Sequence, residues 1–242
     1  MEDTTVKLLG TKGSPFSHRA EVALRLKDVK FEFLHEDLAH KSDMLLRHNP
    51  IHKKVPVLVH GEKSIAESLI VIEYVDEAFE GYNILPSDPY ERAMARFWAR
   101  FIDDKVIPAF WMSCWTDGEI QKGFIAQSKE TLTTLQRQLE GKKFFGGDSI
   151  GLVDLAGCMI AFWFAVLQEV AGINLLNEED YPVLCRWAED YCSVRAVSES
   201  LPDKSFLVAH FASKKEKMFA TKAPLLSTKA GRPLPPPLKS NG

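Results

Sequence analysis

The chain has 242 residues, with 45% hydrophobic and 26% charged residues, and 30 Lys+Arg against 33 Asp+Glu for a net charge of -3. This is an ordinary composition for folded protein and excludes a disordered, collagen-like or disulfide-scaffold chain. The lack of a basic excess argues against nucleic acid as a partner.

The first third alternates strand and helix signals. Val6-Lys7-Leu8-Leu9 is a β-prone run ending at Gly10. Ser14-Pro15 opens a helix, since Ser is a preferred N-cap and Pro suits the first helical position. Phe16, Ala20, Ala23 and Leu24 then form its apolar face. Phe31-Glu32-Phe33-Leu34 reads as a second strand, and Met44-Leu45-Leu46 as a short helix. Val55-Pro56-Val57-Leu58-Val59, His60-Gly61 and Lys63-Ser64-Ile65 read as a hairpin. A helix from about 67 to 79 follows, with Val71, Val75, Ala78 and Phe79 on one face. The order βαβαββα closes most simply as a mixed sheet with helices on its faces.

The remainder is helical. Leu85-Pro86-Ser87-Asp88-Pro89 is a linker that also starts a helix. Met94, Phe97, Trp98 and Phe101 share a face of that helix, and Pro108 should kink or interrupt it. Ile125, Ser128, Leu132, Leu135 and Leu139 mark a second long helix, stopped near Gly141. The stretch 152–169 is apolar on nearly every side and is expected as the central helix of a bundle. Shorter helices follow Tyr181-Pro182 and Leu201-Pro202. From Lys222 the chain holds five of its thirteen prolines and no acids, as expected of a disordered, polyproline-like tail. The expected division is a first domain at 1–83, a linker at 84–90, a helical domain at 91–221 and the tail at 222–242.

Cys114, Cys158, Cys185 and Cys192 share no CxxC spacing. Reduced, buried thiols are expected and a metal site is not. Acids precede the first apolar residues, unlike a signal peptide, and the longest apolar run, 155–167, is shorter than the roughly 18 residues of a membrane span. The expected address is cytoplasmic, without membrane association.

Four features bear chemistry. Ser14 lies between a strand and a helix, where its hydroxyl either caps the helix or donates to an anion beside the helix dipole. Both Ser14 and Ser17 carry hydroxyls where a dithiol motif needs cysteines, so thiol–disulfide exchange there is the weakest reading. Val55-Pro56 admits either a cis bond, exposing the Val55 backbone to an extended peptide, or a trans edge proline. Glu67-Ser68 begins a helix and either caps it or binds an ammonium and a carboxylate. Lys41, Lys53 and Lys54 are either solvated surface or partners of a terminal carboxylate.

Taken in order, these features resemble a cytosolic glutathione transferase, specifically the plant tau class, over about residues 5 to 218. The strings that carry the resemblance are Ser14-Pro15-Phe16, Glu36-Asp37-Leu38 with Lys41-Ser42, Asn49-Pro50-Ile51-His52-Lys53-Lys54-Val55-Pro56-Val57-Leu58, Glu67-Ser68-Leu69, Leu85-Pro86-Ser87-Asp88-Pro89-Tyr90, Arg96-Phe97-Trp98 and Phe145-Gly146-Gly147-Asp148. The resemblance implies an α+β thioredoxin-like N-terminal domain followed by an all-α bundle. It implies Ser14 as the catalytic hydroxyl. Lys41, Lys54, Val55, Glu67 and Ser68 would bind glutathione, with Val55 acting through its backbone before a cis Pro56. An acceptor pocket between the domains would be walled by Phe16, Phe110, Trp115, Trp163 and Phe211. Thr11 and Lys12 stand where the class often has aromatics, which would open that pocket and make it less apolar. Asp154 is implied as a buried reciprocal cap with Gly151, a folding residue.

The implied activity is transfer of glutathione, as co-substrate, to small hydrophobic electrophiles by a homodimer. No tightly bound cofactor is implied, and peroxide reduction is a second activity. The rival reading is a non-catalytic carrier of apolar ligands.

Overall fold

The computed structural model describes residues 5–227, and side chains up to residue 215. The first domain contains β1 (Val6–Gly10), α1 (Pro15–Leu26), β2 (Glu32–His35), α2 (Asp43–His48), β3 (Val57–His60), β4 (Lys63–Ala66) and α3 (Ser68–Ala78). The sheet order is β2-β1-β3-β4, with β1 parallel to β2 and antiparallel to β3. A parallel neighbour needs a long crossover, which α1 supplies; β3 and β4 need only the His60–Lys63 turn.

Both faces of the sheet are buried, and strand alternation assigns residues to each. Val6, Leu8 and Leu58 join Ala20, Ala23 and Leu24 of α1 and Val71, Ile72 and Val75 of α3. Leu9, Val57 and Val59 instead meet Leu45 of α2. Two expected face positions differ. Phe16 is 40% exposed, because the first turn of α1 overhangs the domain boundary. Ala78 is exposed and Ile72 takes its place, continuing the stripe Ser68, Val71, Ile72, Val75.

The helical domain contains α4 (Pro89–Phe101), α5 (Ile107–Trp115), α6 (Gly118–Leu139), α7 (Leu152–Ala156), α8 (Phe164–Ala171), α9 (Pro182–Ser193), α10 (Arg195–Ser198) and α11 (Lys204–Ser227). Pro108 does not break the chain path. A π-helical turn at Ile102–Val106 joins α4 to α5, and its wider winding accommodates the missing proline N–H. The expected central helix is three pieces rather than one: α7, a π-helical turn at Met159–Trp163, and α8. Close packing explains part of this. A Cβ on Gly157 would stand 2.8 Å from Trp187 Cη2, so the chain approaches that ring more closely than any side chain permits.

α11 extends to Ser227, so 222–227 is helical rather than the start of a disordered tail. Local propensity does not explain this extension, because Pro224 lies within it and disfavours a helix interior. The rest of the expected tail lies outside the described residues. No helix among the described residues is long and apolar enough to cross a membrane. The four cysteines are unbonded; Cys114 and Cys158 are buried, whereas Cys185 and Cys192 are only partly so.

Charged groups join the domains. Arg19, fully buried on α1, pairs with Asp103 at 2.6 Å and donates to Ser68 Oγ at 3.3 Å and to the Ala156 carbonyl. Asp76 of α3 pairs with buried Lys27 at 2.9 Å and accepts from the N–H groups of Ile84 and Leu85, at 2.8 and 3.1 Å. Asp154, fully buried, accepts from Gly151 N at 2.8 Å, Phe145 N at 3.1 Å and Trp187 Nε1 at 2.8 Å.

Candidate active site

A cavity of about 680 Å³ lies between the two domains. Its floor is the loop from Thr11 to Ser14 and the first turn of α1; Ile107, Trp111, Met159, Trp163 and Phe211 form an apolar wall opposite. A second cavity of about 760 Å³ adjoins the other side of the same loop, with a more polar lining that includes His18, Glu21, Arg25 and Glu199.

Ser14 is the N-cap of α1 and borders both cavities. Its Oγ accepts from Ser17 N at 3.3 Å, a long capping bond. Its own hydroxyl proton has no acceptor among the described residues. Ser14 N donates to Thr11 O at 3.1 Å, which closes the loop into a turn. Gly13 makes the turn possible with φ +92°, a conformation L side chains resist, and a Cβ there would also press on Leu207 at 3.1 Å. Ser17, the second hydroxyl of the motif, is buried and accepts from Thr11 N at 3.2 Å.

The free N–H groups and dipole of α1 point toward the loop, so this end of the helix favours an anion. His18, one turn beyond Ser14, adds no positive charge at neutral pH, because burial pushes its imidazole down to about 4. It is fixed between Tyr191 and Ser200, at 3.4 and 3.3 Å.

The other polar candidates lie at the ends of the sheet and α3. The Val55–Pro56 peptide is cis, and Pro56 is buried where β3 begins. Lys54 is exposed, but its carbonyl is fixed by buried Asn49, whose Nδ2 donates to it at 2.9 Å. Glu67 precedes α3 with φ +72°, a strained setting for a non-glycine residue of the kind that concentrates at functional sites. Its carboxylate is 3.8 Å from His52 Nε2, so the 49–54 loop and the start of α3 adjoin. Ser68 is buried and takes its bond from Arg19. Lys41 is exposed on the loop before α2; buried Glu36 anchors that loop by accepting from Ser42 Oγ at 2.7 Å.

The expected acceptor wall is partly corrected. Thr11, Lys12, Phe16, Trp163 and Phe211 line the cavity. Phe110 does not: it is fully buried, with its ring stacked on Phe164 at 3.5 Å between centroids. Trp115 is likewise a core residue, 3% exposed and off the lining. Trp111 takes the position assigned to them. The helical stripe Ile107, Trp111 on α5 faces the stripe Leu207, Phe211, Lys214 on α11. Trp111 was legible only as an i+4 partner of Ile107; which α5 face is turned to the cleft depends on packing with α11.

The sequence profile described as the glutathione S-transferase N-terminal domain matches residues 4–77, and the profile of the corresponding C-terminal domain matches residues 105–194. A probable glutathione S-transferase of Glycine max is 48% identical over 218 residues, spanning 90% of this chain and 97% of that protein. Glutathione S-transferase U8 of Arabidopsis thaliana is 45% identical over 86% of this chain and 94% of its own length. Among solved structures, a tau class glutathione S-transferase from mango superposes with a TM-score of 0.82 at 42% identity, covering 88% of this chain and 99% of its own. A rice enzyme solved in complex with glutathione gives a TM-score of 0.81 at 35% identity, covering 90% and 99%.

Proposed function

The chain belongs to the glutathione S-transferase family, in its tau class, and from that premise we propose that it joins glutathione to small hydrophobic electrophiles with Ser14 as the catalytic hydroxyl. Family membership makes it a transferase with glutathione as co-substrate. The observation that carries the residue-level reading is an uncommitted hydroxyl at the N-terminus of α1, on the floor of an apolar interdomain cavity.

A free thiol has a pKa near 8.5, so only about 3% is thiolate at pH 7. Serine cannot remove the proton, because its own pKa is far higher. It donates its O–H to the sulfur, and with the helix dipole it favours the anion. The thiol proton leaves to solvent. The sulfur lone pair then forms a bond to the electrophilic carbon while the leaving group departs with its bonding electrons. The wall of Ile107, Trp111, Met159 and Phe211 suits an apolar acceptor and contributes by proximity. A hydroperoxide presented to the same sulfur would be reduced instead: the sulfur takes the terminal oxygen as a sulfenic acid, the alcohol leaves with a proton from solvent, and a second glutathione thiol displaces water to give the disulfide, which is the second activity we assign. A cytoplasmic role in detoxification fits both. Turnover of an aryl halide and of an organic hydroperoxide by the purified protein tests the assignment; binding without turnover of either would favour a carrier.

Lys41 and Lys54 are assigned to the glycyl carboxylate of glutathione, the backbone of Val55 to its cysteinyl unit, and Glu67 with Ser68 to the γ-glutamyl end. The adjacency of the 49–54 loop and Glu67 supports this. Lys41→Ala and Lys54→Ala should each raise KM for glutathione severalfold and leave kcat within about twofold, since they remove binding remote from the sulfur. Because both lysines are exposed, the difference from wild type should shrink with added salt. An unchanged KM in both variants overturns the assignment.

We also propose a homodimer. The Arg96–Glu73 pair, 2.6 Å, brings α4 beside α3. On these two helices Ile70, Tyr90 and Phe97 are 57%, 69% and 56% exposed, apolar side chains suited to a symmetric partner. Sedimentation should give twice the chain mass at micromolar concentration; a 27.3 kDa species would refute it.

A further inference from the structure

We propose that Trp163 is a positioning residue for the transfer reaction: it holds the peptide that enters Ser14, while Cys158 holds the Pro15–Phe16 peptide just beyond it, and together they set where the serine hydroxyl points. The proposal rests on the reading of Ser14 as the thiolate donor.

The backbone from Gly13 to Pro15 is held by four hydrogen bonds. Ser14 N–H donates to Thr11 O at 3.1 Å and its carbonyl accepts from His18 N at 3.0 Å, both within the first domain. The other two contacts come from the helical domain. Trp163 Nε1 donates to Gly13 O at 2.8 Å, fixing the peptide plane that enters Ser14. Cys158 Sγ donates to Pro15 O at 3.3 Å, fixing the first peptide of α1. Cys158 immediately precedes the π-helical turn at Met159–Trp163, and Trp163 ends it. The irregular turn and the residue before it therefore grip the junction of the loop and α1 at two points, Gly13 and Pro15, and π-helical turns gather at functional sites.

Trp163 is suited to hold a fixed position. It is fully buried, with His18 and Phe162 meeting its ring edge-on, each at 5.3 Å between centroids. The loop's own bonds leave the Gly13 carbonyl to the indole, and Gly13, at φ +92°, has the widest conformational freedom of any residue type. Without the indole N–H, the Gly13–Ser14 peptide can rotate and carry the Ser14 side chain with it. A donor displaced by even a fraction of an ångström loses much of its effect on a developing or bound anion.

The test is Trp163→Phe, which keeps an aromatic ring in the cavity wall and removes the N–H. With glutathione and an aryl halide, kcat at neutral pH should fall three- to tenfold while KM for glutathione stays within twofold, because the groups assigned to glutathione's charged ends lie on other elements. The acid limb of the pH–rate profile should move to higher pH, together with the ultraviolet absorbance of the bound thiolate. In a Ser14→Ala background the same change should have no further effect on kcat; additive losses would show that Trp163 acts elsewhere, and overturn the proposal. So would a normal kcat and pH profile in Trp163→Phe with only a lowered melting point. If Trp163→Phe does not fold, Cys158→Ala against Cys158→Ser decides: the serine keeps a donor to Pro15 O and should retain the wild-type profile, whereas the alanine should shift it by a smaller amount in the same direction. Equal profiles in the two overturn the proposal. A Ser14→Ala variant that itself shows a normal profile would instead refute the underlying assignment of Ser14, whatever Trp163 does.

Discussion

Replacing Ser14 by alanine should lower transferase turnover at neutral pH tenfold or more, each factor of ten corresponding to about 1.4 kcal/mol of transition-state stabilisation. Glutathione should still bind, because the groups assigned to its charged ends lie on other elements. The bound thiol should return toward its free pKa near 8.5, so raising the pH should recover part of the rate. Ser14→Cys should instead add thiol-exchange activity, since a cysteine at a helix N-terminus is readily ionised. The competing account gives Ser14 only a capping role. That role exists, but its bond to Ser17 N is 3.3 Å long, so its loss should cost at most about 1 kcal/mol of stability. A normal pH–rate profile with a slightly lowered melting midpoint in Ser14→Ala would defeat the catalytic assignment.

Asp154→Ala should be strongly destabilising, lowering the unfolding free energy by roughly 3–9 kcal/mol for the three donors it leaves unpaired. The carboxylate serves Gly151 N, Phe145 N and Trp187 Nε1 at once. Each donor left unpaired in the interior costs roughly 1–3 kcal/mol. Against a total stability of about 5–15 kcal/mol, that is enough to leave much of the chain unfolded at 37 °C. Asp154→Asn should recover only part of the loss, because its amide N–H₂ faces a donor wherever it replaces an oxygen. Chemical denaturation of the three proteins checks the order; an alanine variant within 1 kcal/mol of wild type would show that the 145–151 loop finds other partners.

Much of this was legible in local sequence. Ser14-Pro15 and Asp88-Pro89 start helices because a side-chain acceptor and a proline at the first position act within one turn. The hairpin around His60-Gly61 and the buried stripe of α6 follow from period alone. Features set by distant partners were not legible. Trp163 was readable as core or cavity wall, but its bond to Gly13 spans 150 residues. Phe110 and Trp111 are adjacent and both aromatic; only the docking of α8 and α11 makes one core and the other wall. The breaks in the apolar stretch 152–169 come from the approach of Trp187 and a π-helical turn, neither of which leaves a periodic signature. Arg19, in an otherwise apolar helix face, signals such a distant partner: a buried guanidinium needs an acid, and Asp103 supplies it from across the domain boundary.

The Asp76 carboxylate has a mechanical consequence. It grips the N–H groups of Ile84 and Leu85 in the connecting segment while paired to Lys27, so the segment is anchored to α3 and to the end of α1. Such a connection is a weld and not a hinge. The two domains should therefore not swing apart to admit an acceptor, and the breathing that lets substrate in and product out falls to the wall formed by α11. Turnover limited by product release would then respond to changes along that helix, at Phe206 or His210, and stay indifferent to the length or stiffness of the linker.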